Sequence, residues 1–270
     1  MELSFLKICD TGEFTRRVFI QRCALLAATA RVASAAGFQG PTMHHVSLYA
    51  SDLERSIEFY HRVFGCSIQR QNDGTIHLLL ERSFIVLRRG SPPGTVDHFA
   101  IGVEGFDREP LMRDLKLRGA EPINDPDAAG LHIKDPDGFP VQVTSNSTYS
   151  GTPAAFPASR LDHVSVYTSD LKRSVEYYRR VFGFPIMTQG AEAARLSVGS
   201  GYITLRGGRN PVGIVDHFAI GMDGFNRESV IRDLRSRRTE PADDPIKGLH
   251  VKDPDGFPVQ VIANDNGGRG

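Results

Sequence analysis

An internal repeat covers most of the chain. The segment HHVSLYASDLERSIEFYHRVFG (44–65) returns as DHVSVYTSDLKRSVEYYRRVFG (162–183), and VDHFAIGVEGF (96–106) returns as VDHFAIGMDGF (215–225). The hairpins LHIKDPDGFPVQV and LHVKDPDGFPVQV are related in the same way, and matching residues lie 118 or 119 positions apart. A fixed offset of this size predicts two tandem domains of about equal length.

The repeat also predicts where the domains begin and end. We expect an export segment at 1–35, a first domain at 43–145, a linker at 146–160, a second domain at 161–263 and a flexible tail at 264–270. The linker stretch is rich in Ser, Thr, Gly and Pro, which is typical of a connection between domains. The 270 residues are 40% hydrophobic, enough for two cores of ordinary size.

Residues 1–35 resemble a twin-arginine export signal. Arg16 and Arg17 precede the modest apolar run CALLAATA, and residues 33–35 are small, as a signal peptidase requires. An ordinary basic helix is the alternative. The apolar run is short and Arg31 follows it, so it is not expected to span a membrane. We therefore expect a periplasmic or secreted protein that folds before export.

Charge and cysteine content narrow the function classes. Lys plus Arg equals Asp plus Glu at 32 each, so net charge gives no reason to expect nucleic-acid binding. Cys66 is the single cysteine outside the predicted signal, so neither an intrachain disulfide nor a cysteine zinc site is expected. We expect a small-molecule substrate or ligand as partner and no membrane span, and we leave a homodimer open.

Each domain divides again into two similar modules. HHVSLYA alternates apolar and polar residues, which predicts a strand, and the next segment places Leu53 and Ile57 on one helical face. Ser51 and Glu54 fit a capping box, and Gly65 is a natural helix end. Further strands follow, and then HFAIGV and REPLMRDLKLRG begin a second strand–helix unit that ends in the hairpin. The chain therefore repeats strand, helix, strands four times.

These motifs resemble the vicinal oxygen chelate superfamily, which includes glyoxalase I, bleomycin-resistance proteins, fosfomycin-resistance enzymes and extradiol dioxygenases. The resemblance rests on HVSLYASDLERSIEFYHRVFG, DHFAIGV and DPDGFPVQV, which both copies carry in closely similar form. It implies an α+β fold of two tandem glyoxalase-like domains, each made of paired βαβββ modules that form a half-open curved sheet. Four modules in one chain are similar in layout to the two-domain extradiol dioxygenases.

The resemblance also implies a metal site in each domain. In that family the ligands usually come from the first strand of one module, a histidine on the first strand of the next, and a glutamate on its last strand. The matching residues here are His45, His98 and Gln142 in the first domain, and His163, His217 and Gln260 in the second. Glutamine is neutral, so it does not compensate the one positive charge of a divalent ion that glutamate would compensate. Metal affinity should therefore be lower. Fe(II) or Mn(II) is the expected metal, with Zn(II) as an alternative.

Two further histidines, His132 and His250, precede the Asp-Pro-Asp-Gly turns. Strand alternation places His132 on the same face as Lys134. The matching position lines the site in several members of the family, so we predict His132 and His250 as catalytic residues that move a substrate proton. A third nitrogen ligand, an orienting residue or a structural histidine retained from the duplication are the alternatives.

Two classes of function remain open from the sequence. One is a metal-dependent enzyme of extradiol-dioxygenase type acting on a small vicinal-oxygen substrate, with a glyoxalase-like lyase or isomerase as a variant. The other is a metal-free binding protein of bleomycin-resistance type. Arg88 and Arg206 end matching strands, and we expect them to be solvated rather than to bind an anionic substrate.

Overall fold

The structure is a computed structural model that describes residues 38–123, 129–146, 158–208, 210–244 and 248–264. The predicted export signal lies outside these residues, as do most of the predicted linker and tail. Within the described part of the chain, no helix is both long enough and apolar enough to cross a membrane.

In its described residues, the first domain is one seven-stranded sheet with two helices. Its elements are β1 (Thr42–Ala50), α1 (Leu53–Phe64), β2 (Ser67–Arg70), β3 (Ile76–Leu79), β4 (Phe84–Arg89), β5 (Thr95–Val103), α2 (Arg108–Leu117), β6 (Gly130–Lys134) and β7 (Pro140–Ser145). The strand order is β2-β3-β4-β1-β5-β7-β6. The first strands of the two modules, β1 and β5, therefore pair antiparallel at the centre of the sheet.

The second domain repeats this arrangement with eight strands. Its elements are β8 (Ala158–Tyr167), α3 (Leu171–Phe182), β9 (Ile186–Gln189), β10 (Ala193–Val198), β11 (Gly201–Arg206), β12 (Ile214–Met222), α4 (Arg227–Ser236), β13 (Ala242–Asp244), β14 (Gly248–Lys252) and β15 (Pro258–Ala263). The central pair is β8 with β12, and β8 begins within the stretch predicted as linker. The predicted α+β fold of two tandem domains with paired modules is confirmed.

The first helix of each domain forms on the predicted hydrophobic pattern. In α1, Leu53, Ile57 and Tyr60 are buried. Each fully buried side chain of this size stabilises the fold by about 1.5–3 kcal/mol. Gly65 ends the helix in the left-handed conformation, with a φ of 68°, which glycine adopts without steric strain.

The predicted capping box of α1 is wrong. Asp52, not Ser51, is the N-cap, and its carboxylate accepts the backbone N–H of Arg55 at 3.1 Å. Glu54 is exposed and bonds Arg70 instead. Ser51 is engaged by the other domain, which explains why the cap falls one residue later than the sequence pattern indicates.

Each Asp-Pro-Asp-Gly turn contacts the start of the first helix of the opposite domain. Asp255 accepts the backbone N–H and the hydroxyl of Ser51, and Asp137 accepts the same two groups of Ser169. An arginine in the first turn of each helix adds an ion pair to the same carboxylate. The two contacts are reciprocal, so the turn of each domain binds the start of the first helix of the other domain.

A buried aspartate holds each of these turns in shape. Asp253 accepts two backbone N–H groups of its own turn and lies 3.3 Å from the hydroxyl of Tyr60 across the interface. Asp135 does the same in the other turn, 3.2 Å from the hydroxyl of Tyr178. Burial raises the pKa of both carboxyl groups. The repeated turn motif therefore has a structural role between the domains.

Candidate metal centres

The central strands of each sheet bring two histidines together. His45 on β1 and His98 on β5 have their Nε2 atoms 3.2 Å apart, and His163 on β8 and His217 on β12 have theirs 3.3 Å apart. All four side chains are buried. Each domain thus assembles its pair from its own two modules, without help from the other domain.

Three of these histidines are held by an aspartate that a β-bulge brings beside the ring. Asp97, Asp162 and Asp216 are the extra residues where the strand register shifts, and their carboxylates lie 2.8, 3.0 and 2.9 Å from Nδ1 of the next histidine. A bulge breaks the alternation of side chains, so neighbouring residues reach the same side. Because an ionised carboxylate only accepts, Nδ1 carries the hydrogen and Nε2 presents its lone pair. These aspartates were not predicted from the sequence, although the dipeptide Asp-His marks all three.

The bulge before His45 carries a histidine instead of an aspartate. His44 is the extra residue of β1, and its Nδ1 lies 2.9 Å from Nδ1 of His45. Burial lowers the pKa of His44 to about 4 and lowers that of His45 well below its usual value. Both rings are therefore neutral near pH 7, and no negative charge stands behind His45 at this position.

In the first domain the single carboxylate behind the pair is already shared. Asp97 accepts from Tyr49 at 2.7 Å and from Arg88 at 2.8 Å, in addition to His98. Burial alone would raise the pKa of Asp97, but these hydrogen bonds outweigh burial and hold the pKa well below its usual range. Arg88 was expected to be solvated, and it instead positions this carboxylate. Its counterpart Arg206 donates to the hydroxyl of a serine on β8 at 3.0 Å.

In the second domain two carboxylates stand behind the pair. Asp162 is 3% exposed and lies 3.6 Å from the guanidinium of Arg160, which is also buried. Burial lowers the pKa of His163, and the hydrogen bond to Asp162 opposes that shift. Asp216 holds the other ring. The second pair therefore has more negative charge behind it than the first.

The predicted glutamine ligands lie on the last strand of each domain, next to the pair. Gln142 on β7 is in register with Ala100, which shares a strand face with His98 two residues away. It is also paired with His132 on β6. His132 stands edge-on to His98, with ring centroids 5.1 Å apart. The structure thus brings His98, His132 and Gln142 to one face of the sheet.

The matching residues of the second domain line one small cavity. Its walls are formed by Asp216, His217, His250, Pro258 and Gln260, and its volume is about 10 Å³. That volume holds roughly one water-sized species. The cavity therefore suits a single ion or water rather than an organic molecule.

His250 is oriented as a proton acceptor. Its Nδ1 lies 3.1 Å from the carbonyl oxygen of Gly248, which only accepts, so Nδ1 carries the hydrogen and Nε2 is the basic atom.

Across the described residues, no three His, Cys, Asp or Glu side chains form a group that could hold a metal ion. The alternative in which His132 or His250 is a third nitrogen ligand is therefore not supported.

The donor atoms of the second domain fit a divalent ion. With both Nδ1 atoms protonated, the bare Nε2 atoms of His163 and His217 face each other at 3.3 Å, and their lone pairs repel unless a proton or cation lies between them. Two nitrogens that each lie about 2.0–2.1 Å from one ion at a tetrahedral angle are roughly 3.4 Å apart. The amide oxygen of Gln260 is a suitable third ligand from the same face.

Both halves of the chain match a known family. Residues 42–143 and 160–261 each match the Glyoxalase/Bleomycin resistance protein/Dioxygenase superfamily. The chain belongs to this superfamily.

Individual relatives share parts of the chain. Glutathione transferase FosA of Serratia marcescens is 30% identical over 111 residues, which are 38% of this chain and 79% of that protein. A lactoylglutathione lyase of Arabidopsis thaliana is 24% identical over 165 residues, 53% of this chain and 55% of the plant protein. The chain thus spans about half the length of the plant protein.

Solved structures share the whole two-domain fold. The 2,3-dioxygenase LapB from Pseudomonas sp. KL28 superposes with a TM-score of 0.66 at 16% identity, over 85% of this chain and 94% of that one. Homoprotocatechuate 2,3-dioxygenase from Brevibacterium fuscum gives 0.64 at 20% identity, over 84% and 81%. At these identities the likeness shows the shared fold.

Proposed function

We propose that the protein is a metal-dependent enzyme of extradiol-dioxygenase type that acts on a small substrate with two neighbouring oxygens, and that the second domain is its principal site. The observation that carries this proposal is the buried pair of His163 and His217, with Nε2 atoms 3.3 Å apart and a carboxylate on each Nδ1. The two-domain likeness to extradiol dioxygenases supports the same assignment.

In the proposed site, His163, His217 and Gln260 hold a divalent ion, Fe(II) or Mn(II), with Zn(II) as the alternative. When bound, the ion would supply Lewis acidity toward two vicinal oxygens. Asp162 and Asp216 fix the tautomer and direction of the two rings and increase their basicity. Burial of the pair restricts the space beside these lone pairs to about one small species.

His250 handles the proton of the substrate in this proposal. Its Nε2 is the unprotonated ring atom, and its side chain lines the cavity together with His217 and Gln260. The unprotonated ring nitrogen of a histidine can take a hydroxyl proton and return it within one cycle. His132 would have the same role if the first domain is also active.

The test is metal loading followed by turnover. The full chain is purified without oxygen, loaded with Fe(II) or Mn(II), and assayed for metal content and for oxygen uptake with catechols. The hemithioacetal of methylglyoxal and glutathione is assayed in parallel to detect a lyase. We expect about one tightly held ion per chain and oxygen uptake with a catechol. Protein that holds no metal and binds ligand normally after His217→Ala would overturn the proposal.

A metal-free binding protein is the second candidate. The neutral glutamine at the third ligand position favours it, because a carboxylate there would compensate one charge of the ion. The histidines and Gln260 would then line a pocket as hydrogen-bonding groups. Ligand binding in EDTA together with no turnover by the protein after loading with Fe(II), Mn(II) or Zn(II) would favour this function over the first.

For location, we propose export by the twin-arginine route. The paired Arg16 and Arg17 before an apolar run support it. Changing both to lysine should trap precursor in the cytoplasm, as measured by immunoblotting of cell fractions. Normal export of that double variant would remove the proposal.

A further inference from the structure

A cleft large enough for a small organic molecule adjoins the second-domain site. Its volume is about 340 Å³, within the range of roughly 300–1,000 Å³ that ligand pockets usually have. It is lined by Phe59, Arg62, Arg238, Thr239, Glu240, Ala242, His250 and Lys252. The cleft therefore lies between α1 of the first domain and the second module of the second domain.

His250 connects the cleft to the small cavity of the histidine pair. It belongs to the lining of both spaces, next to His217 and Gln260 on one side and next to Lys252 on the other. The small cavity holds only a water-sized species, so the body of an organic substrate has to lie elsewhere. The cleft beyond His250 is the adjoining space of sufficient size.

The cleft carries an excess of positive charge. Arg62, Arg238 and Lys252 all contribute to its lining. Among the described lining residues the carboxylate is Glu240, and it is paired with Arg235 at 2.6 Å, so its charge is largely compensated from outside the cleft. A cleft with several cations and low-dielectric walls such as Phe59 attracts an anion.

Arg238 occupies a position where the backbone favours glycine. Its φ is 57°, and among the described residues it is the sole non-glycine with a positive φ. The matching residue after α2 in the first domain is Gly119, with a φ of 76°. A side chain held in this conformation costs free energy, and such positions cluster where the side chain has a function.

The matching face of the first domain is built differently. Arg180, the counterpart of Arg62, lies over the ring of Tyr177 with its guanidinium carbon 5.7 Å from the centroid. Tyr177 donates to the carbonyl of Lys134 at 2.8 Å, and Gly119 contributes no side chain. The first domain keeps Arg180 and Lys134 as the counterparts of Arg62 and Lys252, so Arg238 is the cation that distinguishes the second domain.

We infer that the cleft binds a negatively charged group of the substrate, of carboxylate type, through Arg238, Lys252 and Arg62, while the reacting end of the molecule extends past His250 toward His217. The identity of the reacting end rests on the proposed function. Anion binding in the cleft does not, because it uses none of the proposed metal ligands.

The test compares two probes that differ in one charge. Binding of 3,4-dihydroxybenzoate and of 4-methylcatechol to the full chain is measured by titration calorimetry in EDTA. We expect roughly tenfold tighter binding of the carboxylate by the wild type, the scale of a charge-assisted contact. The preference should fall to about twofold or less in Arg238→Gly. That change recreates the glycine of the first domain, so the turn itself is retained, and Lys252→Met serves as a second variant.

Arg232→Ala is the matched control. Arg232 lies on the exposed face of α4, 4.0 Å from Glu228 and outside the cleft, and its loss changes the net charge by the same amount. Its carboxylate preference should remain at the wild-type level. Equal affinity for both probes in the wild type, or an equal loss in Arg232→Ala, would overturn the inference.

His217→Ala separates this inference from the proposed function. A carboxylate preference that survives in this variant supports the cleft, whatever the metal and turnover assays show. A preference that disappears with His217 while surviving Arg238→Gly would place the anion at the histidine pair, and the inference would be wrong.

Discussion

The two domains hold the same pair of histidines at nearly the same separation but differ in the residue behind it. Residue 44 and residue 162 occupy the same bulge of the first strand, and one is histidine while the other is aspartate. Both contact Nδ1 of the next histidine, at 2.9 and 3.0 Å. The bulge therefore fixes the position of the ring. The residue at the bulge determines whether a carboxylate or a neutral group lies beside Nδ1 of that ring.

The aromatic rings stacked on the two pairs also differ. His45 stacks on Phe84 with centroids 4.7 Å apart, whereas His163 stacks on Tyr202 at 4.4 Å. Arg195 lies over the ring of Tyr202 in turn. The ring of His45 contacts aromatic and neutral groups, whereas His163 has the carboxylate of Asp162 at its Nδ1. The additional carboxylate leads us to expect that the second pair holds an ion better, although the positive charge of Arg195 acts in the opposite direction.

The largest effect should come from removing a ring of the second pair. His217→Ala should eliminate the tightly held metal and lower turnover by on the order of 100-fold or more, because a direct ligand contributes more than the groups that orient it. His98→Ala, the matched change in the first domain, should leave most of the turnover. Metal content and initial rates measure both. Equal losses would show that the two domains work alike.

Exchanging the bulge residues should come next. Asp162→His should lower divalent metal affinity of the second domain by about 10–100-fold, the usual range for an orienting partner of a ligand. His44→Asp should raise affinity in the first domain, because it supplies the carboxylate that His45 lacks. Competition against a metal-sensitive dye measures both variants. If neither exchange moves the affinity, the charge behind the pair does not account for the difference.

Restoring glutamate at the third position should have a smaller effect. Gln260→Glu adds one negative charge facing the ion, so metal affinity should rise by roughly tenfold while turnover of the native substrate falls. Gln142→Glu tests the same change in the first domain. Dye competition and initial rates are the measurements, and a decrease in metal affinity would argue against Gln260 as a ligand.

The reciprocal turns should both contribute to stability in spite of the difference between the sites. Asp255→Ala and Asp137→Ala each leave a serine and an arginine of the opposite helix without their partner, and each should lower the free energy of unfolding by about 1–3 kcal/mol. The loss should be the larger in Asp137→Ala, because Asp137 also accepts the hydroxyl of Thr168 at 2.7 Å. Urea unfolding measures this. Glu228→Ala, at a side chain that is 88% exposed, is the control and should have little effect. A larger loss in Asp255→Ala than in Asp137→Ala would contradict this account of the interface.

The smallest effect concerns the turn after the second helix of each domain. Arg238→Gly removes the steric cost of the left-handed conformation but adds chain entropy to the unfolded state. We therefore expect the free energy of unfolding to rise by about 0.5 kcal/mol. Gly119→Arg should destabilise the first domain by a similar or larger amount. Thermal unfolding measures both. A loss of stability in Arg238→Gly would show that the side chain contributes packing rather than strain.

The repeat and the hydrophobic periods predicted the fold well, because they report directly on buried faces. The first strand and the first helix of each domain fall where the pattern placed them, and Gly65 ends α1 as expected. The capping box failed for a long-range reason. Ser51 binds Asp255, about two hundred residues away, and local sequence has no information on such a partner.

The site was predicted in its histidines but not in its aspartates. The family resemblance indicated His163 and His217, whose approach depends only on two strands being neighbours. Asp162 and Asp216 could not be derived, because strict alternation places adjacent residues on opposite faces of a strand. The bulges that overcome this arise from pairing register, which a single strand sequence does not specify. The cleft at Arg238 was missed for a similar reason, since both domains form its walls.

The reciprocal contact of the Asp-Pro-Asp-Gly turns is isologous, because the turn of each half contacts the start of the first helix of the other half. Two identical chains arranged about a two-fold axis make contacts of this kind. In such a homodimer, every substitution would appear in both halves at once. A covalent tandem removes that restriction, because each copy can change alone while the shared interface keeps both folded. The aspartate at 162 opposite the histidine at 44, and the arginine at 238 opposite the glycine at 119, are differences that only an asymmetric pair can have.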